Sequence, residues 1–336
     1  MRIGLDAMGT DRAPVEEVCG ALECRPFLDA GDKIVLVGDE AAIRKHLDQA
    51  DGWREFIEVR PTTQHIRMGD APVEAVRTML DSSIVVMAQM HRDGLVDACV
   101  SAGNTGACVA AAQMYLRRLR GVHRPGIAVL TPTFHGPVTI CDVGANVNCR
   151  PQHLHQYGVM ASIYARTVTG VQSPRVGLLS VGEEDAKGND LVKRTRELLR
   201  DDPNVNFIGN VEGRDLFRGA CEVVVCDGFV GNVVLKLIEG MGASVIRGVL
   251  AELTAANPAH ALEIKQAART IVTKYDFNEY GGAPLLGVGG ICIICHGASD
   301  HRGIMNALRV AKDLVKRQVN QQIVQQLSAG AEGANA

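Results

Sequence analysis

Aromatic residues are scarce in this chain, at 7 Phe, 5 Tyr and 1 Trp among 336 residues. Neither sign of charge dominates, because 35 Lys and Arg face 38 Asp and Glu for a net charge of -3. Nucleic-acid-binding proteins use a basic surface and stack bases on aromatic rings, so the composition argues against that class. The 10 cysteines are too few for a disulfide scaffold of this length, and we expect a protein of the reducing cytoplasm.

Long hydrophobic runs are also missing. The longest uncharged stretch, residues 280–299, is long enough to cross a bilayer, but Pro284 and several glycines interrupt it. Since proline and glycine break helices, we interpret this stretch as a loop that leads into a buried strand. Residues 1–6 resemble a strand rather than the charged and then apolar leader of an exported protein. We therefore expect neither a membrane span here nor an export signal.

Short apolar runs recur through the chain, and each is followed by a glycine-bearing turn and a segment with helical periodicity. This alternation is typical of βαβ units, and runs without polar alternation indicate strands covered on both faces. The runs are residues 2–5, 33–37, 98–100, 126–130, 138–141, 176–179, 205–208, 222–226 and 290–294. We predict an α/β fold with three layers, α/β/α, around a largely parallel sheet, in a single catalytic domain over residues 1–320.

Polar loops follow five of the predicted strands. They are residues 6–9, 101–106, 142–146, 181–184 and 227–232. Ligands of parallel α/β sheets bind at the carboxyl ends of the strands, where glycine allows close approach and helix N–H groups are unpaired. Helix capping alone would explain the Asn, Asp, Ser and Thr residues of any single loop. Because there are five such loops, we expect them to converge on one edge of the sheet as an anion-binding site.

The segment over residues 233–276 differs in character from the rest of the chain. Apolar residues recur there at steps of three or four, on both sides of Asn257 and Pro258, which predicts a helical hairpin that projects from the sheet. Its apolar face suits packing against the core or a second copy, and its tip, residues 245–262, suits a membrane surface. Residues 321–336 are polar and then rich in Ala and Gly, which predicts a flexible tail.

Two further patterns match known motifs in spacing only. Residues 292–296 have the CxxCH spacing of haem attachment, but a strand there would point Cys292 and Cys295 to opposite faces. Residues 177–182 have the spacing of a phosphate loop, but Glu183 stands where that motif has lysine. We therefore interpret the two cysteines as core residues and predict neither haem nor a nucleotide P-loop.

Seven motifs in a fixed order carry a family resemblance. They are residues 3–9, 101–107, 142–146, 177–189, 209–213, 227–235 and 280–287 with His296-Gly297. Together they resemble those of the bacterial acyl-ACP:phosphate acyltransferases, the PlsX family, over residues 1 to about 320. The resemblance implies a homodimer whose fold is related to the isocitrate and isopropylmalate dehydrogenases and the phosphotransacetylases.

The same resemblance implies a reaction and a setting. An acyl group passes from acyl-ACP to inorganic phosphate, giving acyl phosphate and free ACP, and no cofactor takes part. The product would feed phosphatidic acid and phospholipid synthesis through a membrane-bound glycerol-3-phosphate acyltransferase. The enzyme would be cytoplasmic and peripherally associated with the membrane.

This chemistry needs positioning and charge control more than a strong base, because phosphate is already an anionic nucleophile and a thiolate leaves readily. The predicted phosphate-binding residues are Ser101, Asn104, Thr105, Gly106, Asn146 and Asn189, and residues 104–106 would bind through their backbone N–H groups at the start of a helix. The predicted catalytic residues are Lys187, His296, Asn232 and Lys236. In this hypothesis the lysines supply positive charge, asparagine orients the reactants, and His296 donates to the oxyanion or protonates the departing sulfur.

The acidic residues of these loops would repel phosphate unless they were paired. We predict that they hold the loops in place, and the residues concerned are Asp6, Asp142, Glu183, Glu184 and Asp227. The alternative is a divalent metal such as Mg²⁺ that bridges them to phosphate, although no metal site is predicted.

A basic cluster is the predicted docking surface for the acidic protein ACP. It consists of Arg117, Arg118, Arg120 and Arg124, at the end of the helix that begins with the Asn104 loop. Favourable interaction of cations with a helix C-terminus is the alternative explanation for this cluster.

Other functions remain open on the sequence alone. A phosphotransacetylase would exchange phosphate against an acyl-CoA on a related fold. An NAD-dependent decarboxylating dehydrogenase would need a series of carboxylate-binding arginines beside a metal site, and we find no such series. A non-catalytic scaffold at the membrane surface would not need the five polar loops.

Overall fold

The computed structural model describes residues 1–333, and its strands form one mixed sheet. The strands are β1 (Arg2–Asp6), β2 (Lys33–Gly38), β3 (Ile57–Pro61), β4 (Ala98–Ser101), β5 (Gly126–Thr131), β6 (Val138–Cys141), β7 (Arg175–Leu179), β8 (Asn206–Val211), β9 (Val223–Val225), β10 (Ala283–Leu286) and β11 (Ile291–Ile294). Their order across the sheet is β3-β2-β1-β4-β11-β10-β5-β6-β9-β7-β8. All nine predicted runs are strands, while β3 and β10 were not predicted.

The direction of the strands reverses in the middle of the sheet. Strands β3, β2, β1, β4 and β11 are parallel to one another, and β6, β9, β7 and β8 are parallel to one another. Strand β10 is antiparallel to both β11 and β5, and β5 is antiparallel to β6. The two parallel halves therefore run in opposite directions, so the carboxyl ends of their strands lie at opposite edges of the sheet.

Helices cover the sheet on both faces. They are α1 (Val15–Glu23), α2 (Glu40–Leu47), α3 (Pro72–Thr78), α4 (Ser83–Arg92), α5 (Thr105–Ala111), α6 (Pro151–Thr169), α7 (Asp190–Asp201), α8 (Gly228–Ala256), α9 (Ala261–Lys274), α10 (His301–Lys316) and α11 (Val319–Gly333). Strand β2 shows why both faces are needed: Ile34 and Leu36 pack into one core cluster, and Val35 and Val37 pack into another that contains residues of α4. A strand without polar alternation is buried on both sides, as the sequence predicts.

Helices α8 and α9 form the predicted hairpin, joined through a short 3-10 turn at Pro258–His260. By length and composition alone, α8 is long and apolar enough to cross a membrane. Exposed apolar side chains recur at every fourth residue along it, namely Phe229, Val233, Leu237, Met241, Val245, Val249 and Leu253. Only its first turns are buried against the sheet, so most of this apolar surface lies open in the described chain.

The end of the chain differs from the predicted flexible tail. Residues Val319–Gly333 form α11, with Val319 and Ile323 fully buried in the core and α11 packed against α6. Val319 and Ile323 are four residues apart and so lie on one face of the helix. The surrounding segment is largely polar, so its composition alone does not indicate a packed helix. The prediction for residues 334–336 lies outside the described residues.

Candidate functional site

A cleft of about 400 Å³ lies over the centre of the sheet, where the strand direction reverses. Its floor is formed by residues of β5, β10 and β11, and α8 contributes one wall. The loops after β1, β4 and β11 contribute polar residues to its rim. Four of the predicted site residues line this cleft: Thr105, Asn232, Lys236 and His296. The cleft is therefore the candidate active site.

The loop that follows β4, residues 101–106, is ordered by buried polar contacts. Asp6, at the end of β1, accepts hydrogen bonds from the Ser101 hydroxyl at 2.7 Å and the Met8 amide at 3.1 Å. Ser101 in turn accepts one from the Gly103 amide at 3.1 Å. Burial raises the pKa of Asp6, and these hydrogen bonds oppose the shift. Since Ser101 is buried and already bonded, its hydroxyl orders the loop, and its predicted contact with phosphate stays a prediction.

The loops after β1 and β4 touch through two glycines. A Cβ atom on Gly9 would lie 2.6 Å from the amide nitrogen of Gly103, so only glycine permits this approach. Buried Glu17 fixes the first loop, because its carboxylate accepts from the amides of Gly9 at 3.2 Å and Thr10 at 2.7 Å. Burial raises the pKa of Glu17 to about 7 despite these hydrogen bonds. The rim of the cleft thus rests on a buried acid that the sequence does not single out.

Asn104 is fully engaged as a structural clamp. Its Oδ1 accepts from the Ala107 amide at 3.0 Å, which caps α5. Its Nδ2 donates to the carbonyl oxygens of Arg67 at 3.1 Å, Met68 at 3.2 Å and Asp70 at 3.2 Å. These bonds use both N–H groups of the amide, so the side chain has no donor left for phosphate. The side chain of Asn104 therefore positions residues 67–70, while phosphate binding by its backbone N–H group stays a prediction.

Two neighbouring residues behave differently. Thr105 is exposed at the start of α5 and lines the cleft. Gly106 instead packs against Pro72, because a Cβ atom on it would lie 2.6 Å from Cγ of Pro72. Gly106 therefore brings α3 close to α5 and is not among the residues that line the cleft.

Asp142 organises the loop that follows β6. Its carboxylate accepts from the amides of Ile127 at 3.0 Å, Ala145 at 3.1 Å and Asn146 at 2.8 Å. Burial raises the pKa of Asp142, with the hydrogen bonds acting against it. The side-chain Nδ2 of Asn146 donates to Asp142 at 3.1 Å, to Tyr157 Oη at 2.9 Å and to the Pro125 carbonyl oxygen. Asn146 is half-buried and its side-chain donors are engaged in these bonds, while its predicted contact with phosphate stays a prediction.

The start of α8 is placed by close backbone contact. Asp227 caps the helix and accepts from the amides of Phe229 and Val230, each at 3.0 Å. A Cβ atom on Gly231 would lie 2.0 Å from the carbonyl oxygen of Asp142, so α8 docks on the Asp142 loop only because glycine stands there.

This docking sets what faces the cleft. Asn232 and Lys236 follow one turn apart and both line it. The Lys236 ammonium forms an ion pair with Glu239 at 2.7 Å. The ammonium group is therefore held at the wall of the cleft, next to Asn232.

His296 extends β11 into the rim of the cleft. Its Nδ1 accepts a hydrogen bond from the Ala298 amide at 3.1 Å. The neutral ring then carries its proton on Nε2, because the nitrogen that accepts from an amide cannot itself be protonated. The exposed side chain therefore presents an N–H donor at the cleft.

The loop that follows β7, residues 180–189, lies apart from the cleft. Its strand belongs to the half of the sheet that runs opposite to β1, β4 and β11. Glu183 lies 3.9 Å from the Arg214 guanidinium, the Glu184 carbonyl accepts from Asn210 at 3.1 Å, and Asn189 caps α7 through the Val192 amide at 3.0 Å. Within residues 1–333, none of Lys187, Glu183, Glu184 or Asn189 lines the cleft.

The expectation that five loops converge on one edge is therefore wrong. It assumed a common strand direction, which the antiparallel pairs at β10 and β5 break. The described residues contain no group of three or more His, Cys, Asp and Glu side chains arranged to hold a metal ion.

The predicted basic cluster is exposed where the helical segment after β4 ends. Helix α5 continues as a π-helical turn over Ala112–Leu116, and Arg117, Arg118, Arg120 and Arg124 follow on the surface. Within the described chain, the guanidinium groups of Arg117, Arg120 and Arg124 have no ion-pair partner. At 1.5 Å per residue, Arg117 lies roughly 18 Å along the helix from Thr105.

A smaller cavity of about 270 Å³ opens beside the cleft and reveals residues that the motifs missed. The two cavities share Asp11, Met68 and Gly103, and the smaller one is also lined by His65 and Arg67. In residues 1–333, no ion-pair partner faces the Arg67 guanidinium. In the sequence these residues belong to the segment His65-Ile66-Arg67, which lies in a loop. The segment matches none of the polar patterns found at strand ends, so no motif indicates it.

The chain is similar to known proteins over nearly its whole length. The model of the family described as "Fatty acid synthesis protein" matches residues 1–322. The chain is 46% identical over 318 residues to a phosphate acyltransferase of Desulforamulus reducens, covering 94% of each protein. It is 43% identical over 331 residues to that of Dictyoglomus turgidum, covering 98% of each.

Solved structures resemble the fold at low identity. A phosphotransacetylase from Streptococcus pyogenes superposes with a TM-score of 0.66 at 15% identity, covering 94% of each chain. The EutD phosphotransacetylase from Staphylococcus aureus gives 0.62 at 14% identity, with 94% of each chain covered. These likenesses establish the α/β architecture, and the family assignment rests on the sequence relatives.

Proposed function

The chain belongs to the phosphate acyltransferase (PlsX) family, and from this premise we propose that it transfers an acyl group from acyl-ACP to inorganic phosphate. A phosphate oxygen attacks the thioester carbonyl, a C–O bond forms and the C–S bond breaks. Acyl phosphate and the ACP thiol are the products, and acyl phosphate supplies phospholipid synthesis through a glycerol-3-phosphate acyltransferase. The reaction class itself, acyl transfer to phosphate, follows from the family.

One observation supports this proposal above the others. The cleft combines a polar rim, with Thr105, His296 and Lys236, and an apolar floor on the central strands. The reaction brings together an anion and a hydrophobic acyl group, and a cavity that offers both a polar and an apolar surface suits that pair.

The rim residues have chemistry that suits the transition state. The His296 Nε2–H donates to the carbonyl oxygen as negative charge develops there, or protonates the departing sulfur. The Lys236 ammonium, held by Glu239, lowers the cost of bringing phosphate into the cleft. Asn232 lies beside Gly144, at the end of the cleft away from His296. No strong base is required, because phosphate is already charged.

The phosphate enters, in this proposal, from the smaller cavity beside the cleft. Arg67 and His65 line it, and the unpaired Arg67 guanidinium is suited to bidentate binding of phosphate oxygens. The cavity joins the cleft at Asp11, Met68 and Gly103, so an anion bound there reaches the rim without crossing the apolar floor.

ACP docks, we further propose, on Arg117, Arg118, Arg120 and Arg124. An acidic partner complements unpaired cations and gains association rate from them. The cluster is separated from Thr105 by roughly 18 Å of helix. A long flexible prosthetic arm on ACP would be needed to bridge that distance, which is how ACP carries its acyl group.

The hairpin gives the proposal its cellular setting. The exposed apolar row on α8 suits a second copy of the chain near the sheet and a membrane surface near the tip, residues 245–262. We propose a cytoplasmic homodimer that binds the membrane peripherally and delivers acyl phosphate to the membrane-bound acyltransferase.

Release of free ACP from palmitoyl-ACP tests the central proposal. We expect release only with phosphate present, together with acyl phosphate trapped as its hydroxamate, and no release from palmitoyl-CoA. Turnover of the CoA thioester instead would make the protein a phosphotransacetylase. No turnover of either donor would favour the non-catalytic scaffold.

A further inference from the structure

The floor of the cleft is apolar over its whole described length. It is formed by Ile127 and Val129 of β5, Ala283 of β10 and Ile294 of β11, with Leu235 of α8 beside them. The charged residues that line the cleft, Asp11, Lys236 and Glu239, come from loop or helix and not from these strands. An apolar floor beneath a polar rim favours a ligand with one polar and one hydrophobic end.

This floor is uncovered because the two flanking helices do not close over it. Helices α5 and α8 both pack on this face of the sheet, and they make at most marginal contact with each other within the described chain. Ile127 and Ile294 are buried against neighbours, while Val129 is only half-buried. Apolar surface of this kind is stabilised when a hydrophobic group covers it.

The two ends of the cleft floor are formed by different residues. His296 extends the end of β11, and Val143 follows the end of β6, which runs the opposite way. The two residues therefore lie at opposite ends of the cleft, with Val129 and Ile127 between them on β5. From Leu130 to Ile127 the strand spans roughly 10 Å. A chain attached to a carbonyl at His296 would extend along β5 toward Val143.

We propose that this floor binds the acyl chain and that Val129 and Leu235 limit the chain length accepted by the enzyme. The inference rests on the proposed function for the identity of the ligand. Each methylene that the floor covers contributes roughly fourfold to kcat/KM. The contribution ends where the chain outgrows the floor.

The test is a chain-length profile of kcat/KM for acyl-ACPs from C6 to C16 with phosphate. We expect Val129→Phe to move the end of the rise at least two carbons shorter, and to lower kcat/KM for the longest chain at least tenfold while C6 stays within threefold. Leu235→Ala removes bulk and should move the end longer. Val171→Phe adds the same bulk at an exposed position away from the cleft and should leave the profile unchanged.

A uniform loss over all chain lengths, or an unchanged profile in both cleft variants, would overturn the proposal. If Val129→Phe fails to fold by circular dichroism, Leu235→Ala decides alone. Binding of the fluorescent fatty acid cis-parinarate separates this inference from the proposed function. An inactive wild type that binds the probe, with binding lost in Val129→Phe, refutes the function and supports the subsite. If the wild type is active and neither cleft variant changes the chain-length profile, only the subsite is refuted.

Discussion

The loops that follow β4 and β7 are similar in sequence and differ in the structure. Both are rich in glycine, and both end in an asparagine that caps the next helix. Asn104 Oδ1 accepts from the Ala107 amide at 3.0 Å, and Asn189 Oδ1 accepts from the Val192 amide, also at 3.0 Å. From sequence alone, either loop is an equally good candidate for a phosphate site.

The two asparagines differ in the hydrogen-bond partners of their side-chain nitrogen, Nδ2. Asn104 Nδ2 donates to three backbone carbonyls and the residue is buried, whereas Asn189 is exposed and its Nδ2 has no partner within residues 1–333. A capping asparagine therefore marks where a helix begins, and does not mark a site. The site is identified by what the loop is fastened to, which is a tertiary property.

Replacing the two asparagines should separate the loops most clearly. We expect Asn104→Ala to lower turnover at least 100-fold, because residues 67–70 lose their clamp beside the cleft, and to cost about 2–4 kcal/mol of stability. Asn189→Ala should cost about 1 kcal/mol and leave turnover within twofold. Phosphate-dependent acyl transfer and urea unfolding measure both effects.

The matched control is Asn104→Asp, which keeps the acceptor that caps α5 and removes the amide donors. Turnover as low as in Asn104→Ala would assign the effect to the contacts with residues 67–70. Wild-type turnover in Asn104→Asp would show that those contacts do not matter for catalysis.

Substitution of Lys236 should lower activity more than substitution of Lys187, although the difference should be smaller than for the two asparagines. Lys236→Ala removes a cation from the wall of the cleft, so we expect kcat/KM to fall at least tenfold. Lys187→Ala changes the β7 loop and should lower kcat/KM by no more than threefold. Steady-state kinetics with phosphate varied measures both, and Lys236→Arg should recover part of the loss. Equal losses at Lys187 and Lys236 would return the β7 loop to the active site.

The helical segments that follow the two loops allow a comparison of docking surfaces. The charge reversal Arg117→Glu with Arg118→Glu should raise KM for acyl-ACP about fivefold and spare KM for phosphate, because it weakens attraction for an acidic partner. The matched pair on α7, Lys193→Glu with Arg194→Glu, should leave both constants unchanged. Similar effects of the two reversals would show that ACP responds only to net charge.

The smallest expected effect concerns pH and stability. Burial raises the pKa of Glu17 to about 7, so its contribution to stability is fully present below its unfolded pKa near 4.5 and is lost as pH rises through 7. We expect Glu17→Gln to flatten the fall in Tm between pH 5 and 8 by a few degrees. Glu184→Gln, in the exposed β7 loop, should leave the pH dependence of Tm as it is in the wild type. A wild-type Tm that does not fall over this range would contradict the assignment.

Much of the sheet was predictable because its strands are short apolar runs buried on both faces. Strand β3 was missed because Glu58 and Arg60 interrupt its apolar pattern, as is common at the edge of a sheet. Strand β10 was missed because it contains Pro284 and follows two glycines. Each departs from the local pattern for a reason that only its place in the sheet explains.

The site was less predictable than the fold. His296, Lys236 and Asn232 were found because they stand at strand ends or helix starts, while Arg67 was missed because its loop has no motif. The β7 loop was predicted to reach the site because no local pattern tells where a strand lies in the sheet. Strand β7 is second from the edge, whereas β9, which runs in the same direction and leads to Asn232 and Lys236, lies nearer the centre.

The order of the strands also bears on how the chain is made. Strands β10 and β11 are the last two in sequence, yet they lie between β4 and β5 in the middle of the sheet. Until residues 283–294 have left the ribosome, the two halves of the sheet have no ladder to join them, and β4 and β5 each expose a free edge. Such edges pair readily with other chains, so a nascent or truncated protein that ends before β10 should aggregate or require a chaperone. The cleft, whose floor is made by those strands, is the last part of the molecule to be completed during synthesis.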